Sequence, residues 1–108
     1  MAHQLERSRE EESNVEPVEL LELLGDEYTR RVLEAVADQP RSGTAVATAA
    51  SVSKATAFRR LNRLEEAGLV ETHPSIDLEN GHHHTLYRAS FDGISLEIRS
   101  GDLSVAIE

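Results

Sequence analysis

At Gly68 the apolar pattern of this 108-residue chain changes period. Upstream, apolar residues recur at three- and four-residue intervals: Val18, Leu20, Leu21, Leu23 and Leu24; then Tyr28, Val32, Ala35 and Val36; then Val46 and Ala49; then Ala57, Leu61 and Leu64. Downstream they alternate, as Ile94, Leu96 and Ile98 and again as Leu103, Val105 and Ile107. The first spacing belongs to amphipathic helices, the second to half-buried strands. Helices followed by hairpins make an α+β fold.

Local signals place the boundaries. Pro17 suits the first turn of a helix over 17–24, which Gly25 stops. Asp26 is a good N-cap for a helix over 27–37, ended by Asp38-Gln39-Pro40. Arg41-Ser42-Gly43 reads as a loop. Thr44 is expected to cap a short helix, Ala45 to Ala50. Ala50-Ser51-Val52-Ser53 is a tight turn, and Ser53 caps a helix over 54–67. Gly68 stands at its C′ position, with Leu69 able to close a Schellman end. Two short helices across such a turn make a helix-turn-helix. Residues 69–73 read as a strand and His82 to Ser90 as its return, because Asn80-Gly81 is a strong hairpin signal. Ser100-Gly101-Asp102 turns a second hairpin over 94–107. The organisation expected is an acidic arm over 1–15, disordered or a frayed helical extension, a winged helix-turn-helix over 16–91, and a C-terminal hairpin over 92–108. That hairpin belongs to the same domain or to a dimer interface.

Composition excludes much. There is no cysteine, so disulfides, thiolate metal sites and cysteine nucleophiles are out. No apolar run approaches the ~20 residues of a membrane span. The polar N-terminus is unlike a signal peptide, and a cytoplasmic location is expected. No phosphate-cradling glycine loop or catalytic dyad appears. Glu65-Glu66 and Glu10-Glu11-Glu12 have no apolar surroundings to raise a carboxyl pKa. The chain reads as a non-enzyme without a cofactor.

Charge is unevenly placed. The chain holds 20 acids against 11 Lys and Arg, a formal net charge of −9. Yet residues 41–63 carry Arg41, Lys54, Arg59, Arg60 and Arg63 and no acid. A charge run is usually a solvated face, but this one coincides with the second helix of the helix-turn-helix. At 100° per residue, Ala57, Leu61 and Leu64 form its core stripe. Ala55, Thr56, Arg59, Asn62 and Arg63 lie opposite, with Lys54, Phe58 and Arg60 on the flanks. A helix in the DNA major groove needs that division. Arg bonds guanine bidentately, Asn bonds adenine, and both bind phosphate. Ser53 and Thr56 at the helix N-terminus can bond a phosphate. The competing reading is a winged-helix protein–protein module, which would carry apolar residues on that face.

Three stretches resemble a known family: Leu23-Leu24-Gly25-Asp26, Gly43-Thr44-Ala45-Val46-Ala47, and the run from Val52-Ser53-Lys54-Ala55-Thr56 to Glu66-Ala67-Gly68-Leu69-Val70. They are similar to the winged helix-turn-helix of ArsR-like transcription regulators, above all the acidic type of extremely halophilic archaea. The resemblance covers roughly 18–90. It implies sequence-specific binding of double-stranded DNA, a recognition helix over 54–67, a wing over 69–90, and a homodimer. The DNA contacts expected are Arg41, Thr44, Ser53, Lys54, Ala55, Thr56, Arg59, Arg60, Asn62 and Arg63, with His82 and His83 from the wing. The cysteine pair of metalloid sensors is absent, which excludes that sensing chemistry. The acidity fits salt adaptation, since at molar salt the Debye length falls to ~3 Å and long-range repulsion from DNA is screened.

Two further readings remain. His82 and His84 share a strand face, and His73 could join them across the hairpin as a weak metal set. The alternative is imidazoles that meet the DNA backbone or water. The apolar surplus of the first helix and the last hairpin points to a subunit interface, with Leu20, Leu21, Leu24, Ile94, Leu96 and Ile98 as its residues.

Overall fold

The structure is a computed structural model that describes residues 15–77 and 81–108. Residues 1–14 of the expected arm, and Asn80 of the hairpin turn, lie outside the described residues. Val15, assigned above to the arm, is buried in the core.

Four helices come first: α1 (Pro17–Leu24), α2 (Glu27–Asp38), α3 (Gly43–Ala50) and α4 (Lys54–Glu66). A two-residue strand, β1 (Arg41–Ser42), precedes α3. Then come β2 (Val70–Asp77), β3 (His82–Ala89), β4 (Ile94–Arg99) and β5 (Asp102–Ile107). One antiparallel sheet has the order β1-β3-β2, and β4 and β5 form a separate hairpin. This is an α+β winged helix-turn-helix with the expected second hairpin.

The caps explain the helices. Asp26 accepts from the Thr29 N–H at 2.9 Å and starts α2. Ser53 accepts from the Thr56 N–H at 3.1 Å and starts α4. Ser51 closes α3 in the left-handed region at φ 56°. At the end of α4, the Gly68 N–H donates to Glu65 O and the Leu69 N–H to Leu64 O, both at 2.9 Å. Gly68 takes φ 81° to make that Schellman turn.

Three expectations need correction. Thr44 does not cap α3. The cap is Ser42, whose hydroxyl accepts from the Ala45 N–H at 3.2 Å, and Thr44 lies exposed inside the first turn. The helix starts earlier because Ser42 supplies the cap, and glycine at 43 leaves room for Phe58, whose ring a Cβ there would overlap. Arg41-Ser42 is a strand rather than a loop, paired with Tyr87 and Leu86. And β2 runs through Pro74 to Asp77 rather than ending at His73. Pro74 is tolerated there because β2 is the outer strand of its sheet.

The core forms where α2, α3 and α4 meet. Ala57, Leu61 and Leu64 are fully buried, together with Val32, Val46 and Leu69, and Val36 is nearly so. Each buried Leu or Val contributes ~1.5–3 kcal/mol relative to exposure. Tyr87 of β3 joins this core and meets Phe58 edge to face at 6.3 Å between centroids. That contact seats the wing against α4.

α1 divides its leucines by helical period. Leu20 and Leu23 point into the core, while Val18 and Leu21 are 62% and 44% exposed. Leu20, expected at a subunit interface, is therefore inside its own chain, and Leu24 and Ile94 are half-buried. Val105 of β5 is buried against the helical core. Among the described residues, no helix is long and apolar enough to cross a membrane.

Candidate nucleic-acid interface

α4 is held by its apolar stripe and presents the other side to solvent. Lys54, Ala55, Arg59, Asn62 and Arg63 are all exposed, and Thr56 is half-buried. The Ser53 hydroxyl donates to Thr56 Oγ1 at 3.0 Å, so the two form one polar group at the helix start. Arg63 lies in the last turn, where the helix dipole favours a cation.

The arginines sort into two kinds. Arg30 donates to Leu24 O, Arg31 pairs with Glu27, Arg88 with Glu71, and Arg99 with Glu97. Arg41, expected to face DNA, donates to Ala35 O and Asp38 Oδ2, both at 2.9 Å. It closes the C-terminal end of α2. Arg60, also expected to face DNA, is largely buried and donates to Asp26 Oδ2 at 2.8 Å. Among the described residues, Lys54, Arg59 and Arg63 make no ion pair. All three stand on α4. The basic window therefore separates into Arg41 and Arg60, which fasten helices, and three cations left free. Sequence periodicity puts Arg60 on the flank, but its partner lies 34 residues away and leaves no local signal.

The Asp26 carboxyl is held below the ordinary range, first by the Thr29 hydroxyl and N–H, then by Arg60. Glu71 is lowered by the hydrogen bond from Arg88 and by His73. Burial raises the Tyr87 phenol.

The wing is an eight-residue pairing of β2 with β3. Ile76 stands opposite His83, Ser75 opposite His84, and Asp77 opposite His82. Alternation puts His83, Thr85 and Tyr87 on one face and His84 and Leu86 on the other. His83 and His84 are exposed. Ile76, 54% exposed beside them, is a wing residue that the sequence reading omits. The signal for it was its place in the alternation past Pro74. His73 does not lie across from either expected partner: it is opposite Leu86, and its Nε2 is 3.3 Å from Glu71 Oε1. The side chain of His82, expected both in the wing contact and in the metal set, lies outside the described residues, and the described residues contain no cluster of three metal-ligand side chains.

Residues 24–73, a little under half of the chain, match the family model described as a helix-turn-helix domain. This segment forms a helix-turn-helix. The match begins at the last residue of α1 and ends within β2, so it includes the whole of α2, α3 and α4. In the helix-turn-helix, α3 is the first helix, Ser51 makes the turn and α4 is the second helix. No curated protein matches the chain.

Proposed function

We propose that the chain is a sequence-specific, DNA-binding transcriptional regulator of the acidic, ArsR-like type found in halophilic archaea, acting as a homodimer. α4 enters the major groove. The wing follows the adjacent backbone or minor groove through His82 and His83. Arg59 and Arg63 on the exposed face of α4, with Lys54 on its flank at the first turn, carry this reading. In a chain with 20 acids, free arginines are expected to find carboxylates, and these find none among the described residues. Asn62 and Arg59 supply the donor geometry for base edges, while Lys54 and the Ser53–Thr56 pair suit phosphates. The slim Ala55 lets the helix approach closely. The face is polar, which counts against an apolar protein-docking role.

The homodimer reading rests on Val18, Leu21, Leu96 and Ile98, large apolar residues that the chain leaves exposed. Two-fold symmetry would set two recognition helices ~34 Å apart and call for a palindromic site. Incubating the full chain with a pool of random duplexes and sequencing the retained fraction tests both. Enrichment of one palindromic motif is expected. Retention without enrichment would contradict sequence-specific recognition.

A further inference from the structure

β4 is the outer strand at the C-terminal end of the molecule. Every residue of it from Ser95 to Arg99 is exposed, whereas β5 buries Val105 and contacts α1. Among the described residues β4 has β5 on one side and no strand on the other. The groups on that open side follow from the ladder. Ser100 and Gly101 both have positive φ, 53° and 81°, the two-residue turn that suits strand twist. Arg99 opposite Asp102 closes it. At the other end of the hairpin the Glu108 N–H donates to Gly93 O at 2.9 Å. Bonded and non-bonded pairs alternate along an antiparallel ladder. Ser95, Glu97 and Arg99 therefore turn their N–H and C=O groups to β5. Ile94, Leu96 and Ile98 turn theirs outward, a row of backbone groups open to another strand.

We propose that this edge pairs antiparallel with the same edge of a second copy, about a two-fold axis at Ile98. The inference rests on the homodimer reading and names its contact. Charge selects the register. Centred on Glu97, the pairing sets that carboxylate against its own copy. Centred on Leu96, it sets Glu97 against Ser95. Centred on Ile98, it sets Glu97 of each copy against Arg99 of the other, twice. Opposite charges directly across a pair are favourable and like charges unfavourable. The existing Arg99–Glu97 bond within one strand is exposed at both ends, so exchanging it across the axis sacrifices little. The same register covers Ile98, 78% exposed in the single chain, with Ile98 of the second copy. In this register residues 97–99 of the two copies pair and Leu96 meets the turn residue Ser100, so the two hairpins join at their turn ends.

The chain has no cysteine, so one introduced thiol reports the axis. Opposed residues in a bonded pair have Cα atoms about 5.5 Å apart, within the span a disulfide bridges. Ile98→Cys in the full chain, mildly oxidised without DNA, is expected to run as a covalent dimer on a non-reducing gel. Arg99→Glu is expected to weaken dimerisation at least tenfold by sedimentation, and adding Glu97→Arg to restore it. A wild-type dimer in which Ile98→Cys does not cross-link and the charge swap does not restore assembly overturns the strand pairing and leaves a dimer built on α1. A wild-type monomer at tens of micromolar overturns both.

Discussion

Arg60 Nε donates to Asp26 Oδ2 at 2.8 Å, and the same oxygen accepts from both the N–H and the hydroxyl of Thr29. One carboxylate thus starts α2 and holds the flank of α4. It thereby ties α4 to the N-terminal end of α2. The Asp26 carboxyl is held below its ordinary value of 3.8 by Thr29 first and Arg60 last. A depressed folded-state pKa stabilises the fold above the unfolded value and is lost as pH falls through the folded value. Wild-type stability to urea should therefore drop below about pH 4, and Asp26→Asn should remove part of that drop. Urea midpoints between pH 6 and pH 2.5 give the comparison. Equal slopes for the two proteins would remove Asp26 from the account.

Phe58 covers Gly43, and a methyl group there would overlap the ring. Gly43→Ala should destabilise the chain by ~1–3 kcal/mol, the usual cost of overpacking. Phe58→Leu clears the space, so the double variant should lose less than the two single losses added together. Denaturant titrations of the three variants measure the coupling. Additive losses would mean that the ring and position 43 are not coupled.

The acidity should make the fold depend on salt. Twenty acids against eleven bases repel one another at low ionic strength, and the Debye length falls from ~10 Å at 0.1 M to ~3 Å at 1 M. The melting temperature should rise between 0.1 M and 2 M potassium chloride. A flat profile would detach the acidity from salt adaptation.

What was legible in the sequence is what neighbours in the chain decide. The Asp26 and Ser53 caps, the Schellman end at Gly68-Leu69 and the core stripe of α4 each depend on contacts a few residues apart. What was not legible depends on distant partners. β1 exists because Arg41 and Ser42 meet Tyr87 and Leu86. Gly43 is required because Phe58, from the next helix, lies over it. Arg60 is distinguished from Arg59 by Asp26. The length of β2 was hidden because Pro74 signals a strand end except on an outer strand. Of the expected contact residues, Arg41 and Arg60 are reassigned to structure.

Separating the free from the fastened arginines tests the central claim most directly. The duplex enriched from the random pool, labelled and titrated by fluorescence anisotropy, is compared for wild type, Arg59→Ala, Arg63→Ala and Arg60→Ala, each with its melting temperature. Arg59→Ala and Arg63→Ala should each weaken binding by ~1–3 kcal/mol and leave melting unchanged, because neither side chain holds an ion-pair partner among the described residues. Arg60→Ala should lower the melting temperature first. Full affinity in both Arg59→Ala and Arg63→Ala would contradict α4 as the helix that reads DNA.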